Sequence, residues 1–193
     1  MKISKQVLYI CILLFACSCS EDEVTIPKPK GYYRIDLPKK EYITFDSFPA
    51  FKFQYPVYAK VVPVKPEKKG SFGFNIEFHS FNGTIYMTYF PVQKNLKQLL
   101  DDQHEYVNKH LTKATDVREN RYTRPGSSTY AVSFDIKGST VASPVQFYIT
   151  DSTRNFLRGS LYFNNTPNND SLSPVIDYLR KDIDQLINTL EWK

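Results

Sequence analysis

Cysteine is the first thing this sequence runs short of. Its three cysteines are Cys11, Cys17 and Cys19, so everything beyond residue 19 is thiol-free. A disulfide scaffold, thiol redox chemistry and a Cys-ligated metal are therefore excluded from the body of the chain. Glycine is also scarce, at 7 residues in 193, and no Gly-x-Gly-x-x-Gly, Walker loop or Gly-x-Ser-x-Gly elbow occurs. Of the three histidines, His104 and His110 lie six residues apart, about 600° of helical rotation, so they do not share a face as a zinc pair would. No run of 18 apolar residues exists, which excludes a spanning helix. What is abundant is aromatic: 14 Tyr and 14 Phe, with 41% hydrophobic and 23% charged residues overall. That is a globular balance, and the aromatics favour a pleated, half-buried β-surface.

The N-terminus reads as an export signal. Lys2 and Lys5 precede an apolar stretch from Val7 to Ala16, too short for a bilayer but right for a secretory segment. It runs into Leu14-Phe15-Ala16-Cys17-Ser18-Cys19, the small-residue-then-cysteine pattern of a lipobox, with Cys19 as the lipidated residue and Cys17 as the alternative. Cleavage before Cys19 removes 18 of the 193 residues and leaves 23 Lys and Arg against 20 acids. A net charge of +3 is too small and too dispersed for a nucleic-acid partner. Several acyl chains, at about 0.8 kcal/mol per buried CH₂, would hold the protein at a membrane without a helix. Ser20 at the second position points away from inner-membrane retention, by analogy with lipoprotein sorting rules. The following Glu21-Asp22-Glu23 resembles surface-export signals, so the expected location is the outer membrane, with either face open. The expected layout is a signal peptide over 1–18, an acylated tether over 19–31 with Pro27 and Pro29, and one domain over 32–193.

Within that domain the hydrophobic period alternates between two and 3.6. Strands are expected at Phe51–Tyr55, Val57–Val62, Phe72–Phe78 and Thr84–Phe90, with Asn82-Gly83 as a turn and Pro63–Gly70 as a basic loop. Asn95 with Gln98 has capping-box spacing and opens a helix from Leu96 to about His110. Strands follow near Asp116–Tyr122, Thr129–Lys137, Ser143–Thr150 and Asn155–Phe163. Ser173 and Pro174 are expected to start a closing helix with its stripe at Val175, Ile176, Leu179, Ile183, Leu186, Ile187 and Leu190. Asp177, Arg180, Lys181, Asp182 and Asp184 are assigned to its solvent face. Strands, helix, antiparallel strands, helix is an α+β order: an antiparallel sheet covered by two main helices. It resembles the PsbP/Mog1-like sandwich, a likeness of fold that carries no function.

No catalytic constellation emerges. Asp151-Ser152-Thr153 and Asp170-Ser171 have turn chemistry and no nearby histidine. Ser152 and Ser171 also fit the pattern that serves as an O-glycosylation sequon in the lineages of the family resembled below. Asp101 and Asp102 read as solvated helix acids, and no metal or cofactor is expected.

Three stretches stand out together: Pro27-Lys-Pro-Lys-Gly-Tyr-Tyr-Arg-Ile-Asp-Leu-Pro38, Phe81-Asn-Gly-Thr-Ile-Tyr-Met-Thr-Tyr89, and Thr150-Asp-Ser-Thr-Arg-Asn-Phe-Leu-Arg-Gly-Ser-Leu-Tyr-Phe163 with Pro167-Asn-Asn-Asp-Ser-Leu172 and Leu190-Glu-Trp-Lys193 behind it. In these the chain resembles the gliding-motility lipoprotein GldD family, over nearly all of its mature length. The resemblance implies a non-enzymatic, outer-membrane-associated lipoprotein needed for gliding and linked to the type IX secretion machinery, with proteins of that machinery as partners. It carries over no catalytic residues. Arg34, Asp36, Arg154 and Arg158, the polar residues inside the matching stretches, are the candidate partner-binding positions; internal ion pairs such as Asp151 with Arg154 are the structural alternative. The competing function is a small or lipidic ligand in a cleft beside the sheet, lined by Tyr86, Tyr89 and Tyr148.

Overall fold

The computed structural model describes residues 35–65 and 70–193. The segments read as signal peptide and tether, with Cys17 and Cys19, Arg34 and the middle of the basic loop lie outside them. Ten strands and two long helices follow in order: β1 (Tyr42–Phe45), β2 (Phe51–Pro56), β3 (Lys60–Val64), β4 (Phe72–Phe78), β5 (Gly83–Pro91), α1 (Leu96–Asn108), β6 (Asp116–Thr123), β7 (Tyr130–Lys137), β8 (Val145–Thr150), β9 (Asn155–Phe163), α2 (Asn169–Thr189) and β10 (Glu191–Trp192). Seven strands form an antiparallel sheet ordered β3-β4-β5-β9-β8-β7-β6, and β1-β2-β10 form a second sheet of three.

The register explains the layers. On one face of the large sheet the cross-strand row Phe74, Met87, Gly159, Phe147, Ser133 runs across five strands. The neighbouring row is Ile76, Ile85, Leu161, Val145. These side chains are almost fully buried beneath Val175, Leu179, Ile183, Leu186 and Ile187 of α2. At about 1.5–3 kcal/mol for each large apolar side chain removed from water, this layer dominates the fold. Beside α2, the small sheet adds Phe51 and Phe53 to Phe48, Phe72 and Phe74, with ring centroids 4.7 to 6.0 Å apart. The opposite face receives α1, whose Val107 packs with Phe134, Ile136 and Val141. Polar Gln103 meets Gln146 beneath the same helix.

Several expectations shift. The strand expected at Val57–Val62 begins only at Lys60, because Ala59 N–H closes a turn on the Pro56 carbonyl at 3.0 Å. The Asn95 capping box does not form: its side chain accepts from Gln93 N–H at 2.7 Å, behind the helix, and α1 ends at Asn108. The closing helix starts at Asn169, not at Ser173, which places Pro174 inside it. Asn169 anchors that earlier start by donating its side-chain amide to the carbonyls of Gly138 and Val141, both at 2.8 Å. After the helix, Glu191–Trp192 forms a strand: Trp192 lies edge-on to Phe51 at 5.8 Å. Lys193 N–H bonds Ala50 O at 2.9 Å and its ammonium reaches Phe48 O at 2.7 Å.

Gly159 is fixed by packing. A Cβ there would stand 2.3 Å from the Phe147 ring and 2.6 Å from Met87 Sδ, because these two large neighbours fill the space above it. Gly159→Ala is expected to cost about 1–3 kcal/mol; the check is the urea midpoint, and an unchanged midpoint would show that the row can spread.

Candidate functional site

Polar and charged side chains gather in three places, the inner side of α2, the loop before β9 and an open part of the large sheet, and the first two hold the fold together. The first lies where the chain enters the domain. Lys40 uses all three ammonium hydrogens, on Asp182 Oδ1 at 2.7 Å, Tyr58 Oη at 2.8 Å and the Tyr178 carbonyl at 2.9 Å. It also sits 3.3 Å above the Tyr178 ring. Asp182 accepts further bonds from Tyr58 at 2.6 Å and Tyr42 at 3.0 Å, and Tyr178 donates to the carbonyl of Pro38. Asp182, assigned from sequence to the solvent face of the helix, is 2% exposed. The helical period accounts for it: Asp182 is four residues from both Tyr178 and Leu186, which are buried on the same side.

Arg180 and Asp184 are likewise turned inward. Arg180 pairs with Asp135 on β7, with Asp184 at 3.2 Å, and with the hydroxyls of Tyr122 and Ser133, both at 3.0 Å. Only Asp177 and Lys181 of the five stay exposed.

The second place is the loop before β9. Asp151 does not pair with the Arg154 side chain; it accepts the backbone N–H groups of Thr153, Arg154 and Asn155 at 2.8–2.9 Å. Its other oxygen accepts the Asn155 amide at 2.7 Å, and Asn155 accepts from Tyr89 at 2.7 Å. Burial works to raise the Asp151 pKa, but these bonds together hold it below the usual carboxylate range. Ser152 sits at the loop tip with φ +64°, exposed, and Ser171 is exposed in the first turn of α2. Asp36 is exposed near the start of the described chain.

The third place is different. α1 covers only part of its face of the sheet. The rest carries Thr84, Tyr86 and Thr88 from β5 opposite Tyr162, Ser160 and Arg158 from β9, with Asn75 of β4 beside Tyr86. Tyr86 is 51% exposed and meets Tyr162 edge-on at 5.7 Å. A shallow groove of about 360 Å³ opens along Thr84, Tyr86, Tyr162, Phe163 and Asn164. At its margin the Arg158 guanidinium lies 4.6 Å from the Tyr106 ring and 5.2 Å from the Phe90 ring. The cleft lining expected of Tyr86, Tyr89 and Tyr148 is not assembled, because Tyr89 faces the α2 side, buried against Phe72 at 4.7 Å. Tyr148 stacks on Phe156 at 5.5 Å.

The described residues hold no group of three or more His, Asp or Glu suited to a metal. Among them, no helix is long and apolar enough to cross a membrane.

The Lys40–Asp182 cluster has a clear energetic signature. Removing one partner of a buried pair leaves the other uncompensated, so Asp182→Ala is expected to cost about 3 kcal/mol, while Lys40→Met with Asp182→Leu recovers most of that loss. Burial first, then the Asp182 carboxylate, pushes the hydroxyls of Tyr42 and Tyr58 well above the usual phenol range. Their stabilisation is intact below the unfolded value near pH 10 and is lost as pH rises toward the folded values. Burial lowers the Lys40 pKa against the pull of Asp182, an opposite and single contribution. Urea midpoints should therefore fall above about pH 10 in the native chain and fall less in a Tyr42→Phe, Tyr58→Phe variant.

Comparison with known proteins agrees with this architecture. The fold is similar to the solution structure of cyanobacterial PsbP (CyanoP) from Synechocystis sp. PCC 6803, at a TM-score of 0.50 and 11% identity, over 83% of this chain and 98% of that one. At that identity the likeness is one of fold. No curated protein matches the chain. The model of the family described as gliding motility lipoprotein GldD matches residues 22–192. By that match over most of its length, the chain belongs to the GldD family of gliding motility lipoproteins.

Proposed function

We propose that this protein is a non-enzymatic lipoprotein of the outer membrane, acylated at Cys19, that serves gliding as an assembly part linked to the type IX secretion machinery. The observation that carries the reading is the family match over residues 22–192. The charge chemistry supports an assembly part: Asp182, the half-buried Arg180 and Asp151 hold helix and loop rigidly in place. Arg154 and Arg158 are the partner-binding positions among the described residues, and Asp36 and Arg34 extend that role toward the tether. Ser152 and Ser171 are accessible enough to accept an O-linked glycan, and mass spectrometry of each Ser→Ala variant from the native host would remove one glycan mass apiece; an unmodified native protein refutes the modification.

Deleting the gene should abolish single-cell gliding and reduce the extracellular level of type IX cargo together, and wild-type complementation should restore both. Complementation with Cys19→Ser should leave a folded protein that no longer sediments with membranes and does not restore gliding, whereas Cys17→Ser should behave as wild type. Release by Cys17→Ser alone would move the lipid to that residue. Normal gliding and normal secretion in the deletion strain would contradict the proposed role.

A further inference from the structure

The open part of the large sheet carries a surface that the fold itself does not use. Register puts Asn75, Thr84, Tyr86, Thr88, Ser160 and Tyr162 on one side of three adjacent strands, and Tyr86 is half exposed there. Tyrosine with small hydroxyl and amide side chains is the composition of adaptable protein-recognition surfaces: the rings supply contact area at little cost in rotamer freedom, and the short polar groups supply hydrogen bonds. Arg158 borders this surface, stacked between Tyr106 and Phe90. A guanidinium held by two rings is already ordered, so binding through it gives up little further entropy.

The charges around it are of both signs, and Glu77 stands on the same face, in register with Thr84. Glu77 lies opposite Lys60 in register and 3.5 Å from His79. Arg121 pairs with Glu119, Lys97 with Asp101 and Lys109 with Glu105. Arg158 has no hydrogen bond or ion pair to another described residue, and no described carboxylate pairs with the exposed Arg154 or Lys94. The nearby Asp151 is committed to backbone N–H groups. Arg158, the cation at the margin of the face, calls for a carboxylate on whatever covers it.

We infer that this face docks an acidic segment of a partner protein, which sets a carboxylate against Arg158 and lies across Tyr86 and Tyr162. Arg158 would be the anchor and the tyrosine pair the platform, the combination that dominates binding energy at protein interfaces. The inference rests on the proposed role as an assembly part, since that role requires a partner.

The test uses the full lipidated chain in detergent micelles, with a polyglutamate peptide as probe and tyrosine-ring NMR signals as readout. Addition of the peptide should shift the signals of Tyr86, Tyr106 and Tyr162 in a salt-sensitive way. Arg158→Glu should weaken binding at least about tenfold, Arg158→Lys less, and Tyr86→Ala by roughly fivefold with no loss of folded protein. In cells, Arg158→Glu should impair gliding at normal protein level. No shift with polyglutamate, or equal binding by Arg158→Glu, overturns the inference. Shifts produced only by a neutral oligosaccharide such as cellotetraose overturn it too, and would make this a glycan surface. A deletion strain that fails to glide while Arg158→Glu cells glide normally rejects this surface and leaves the proposed role standing. A deletion strain that glides rejects the role, and the peptide titration then decides the surface independently.

Discussion

A carboxylate inside the apolar stripe of a helix is the constraint on which the placement of the first described segment against the body depends. Asp182 is buried at a position where a leucine would satisfy the helix period, and an unpaired charge there would cost several kcal/mol. It is tolerated because Lys40, Tyr42 and Tyr58 converge on it from two separate stretches of chain. The consequence is topological. The segment from Ile35 to Phe45, the first of the described chain, cannot leave α2 without stranding that charge. With Tyr178 bonded to Pro38 and β1 paired to β2, the first described residues belong to the folded body.

The two faces of the large sheet divide the work. The α2 face is closed by long apolar rows, by the phenylalanine cluster of the small sheet and by the C-terminal strand. Even the final lysine is fastened, to Asp46 at 2.5 Å and to the Phe48 carbonyl. The α1 face is covered where Val107 meets Phe134 and Ile136 and open where Tyr86 and Tyr162 stand. A rigid, fully packed face beneath an open polar-aromatic one is a scaffold suited to holding a binding surface in place.

Much of this was legible in the chain. Alternation located β4, β5 and β9 to within a residue, because both faces of those strands differ in burial and a slip by one residue would invert them. The 3.6-residue period found both helices. It misplaces Asp182, Arg180 and Asp184 because polarity alone points to exposure, and their partners Lys40 and Asp135 lie far away in sequence. The period itself held the signal, since Asp182 falls in line with Tyr178 and Leu186. β1 and β10 were missed because strands of four and two residues carry too little alternation to register. The start of α2 was misplaced because Pro174 is an apt first helical residue, while the contacts that begin the helix at Asn169 come from the distant loop of Gly138 and Val141. At the candidate surface, Arg158 stands out by its residue type inside a stretch that resembles the GldD family. The Tyr86–Tyr162 pairing needed the β5–β9 register, which sequence alone does not supply.

The claim that Lys40 and Asp182 bind the segment from Ile35 to Phe45 to the body is tested most directly by amide hydrogen exchange on the full chain, native against Lys40→Met. Protection should fall selectively at Tyr42–Phe45 while β5 and β9 keep theirs, because the tie is local and the central sheet does not depend on it. Unchanged exchange at Tyr42–Phe45, or an equal loss across every strand, would contradict the account.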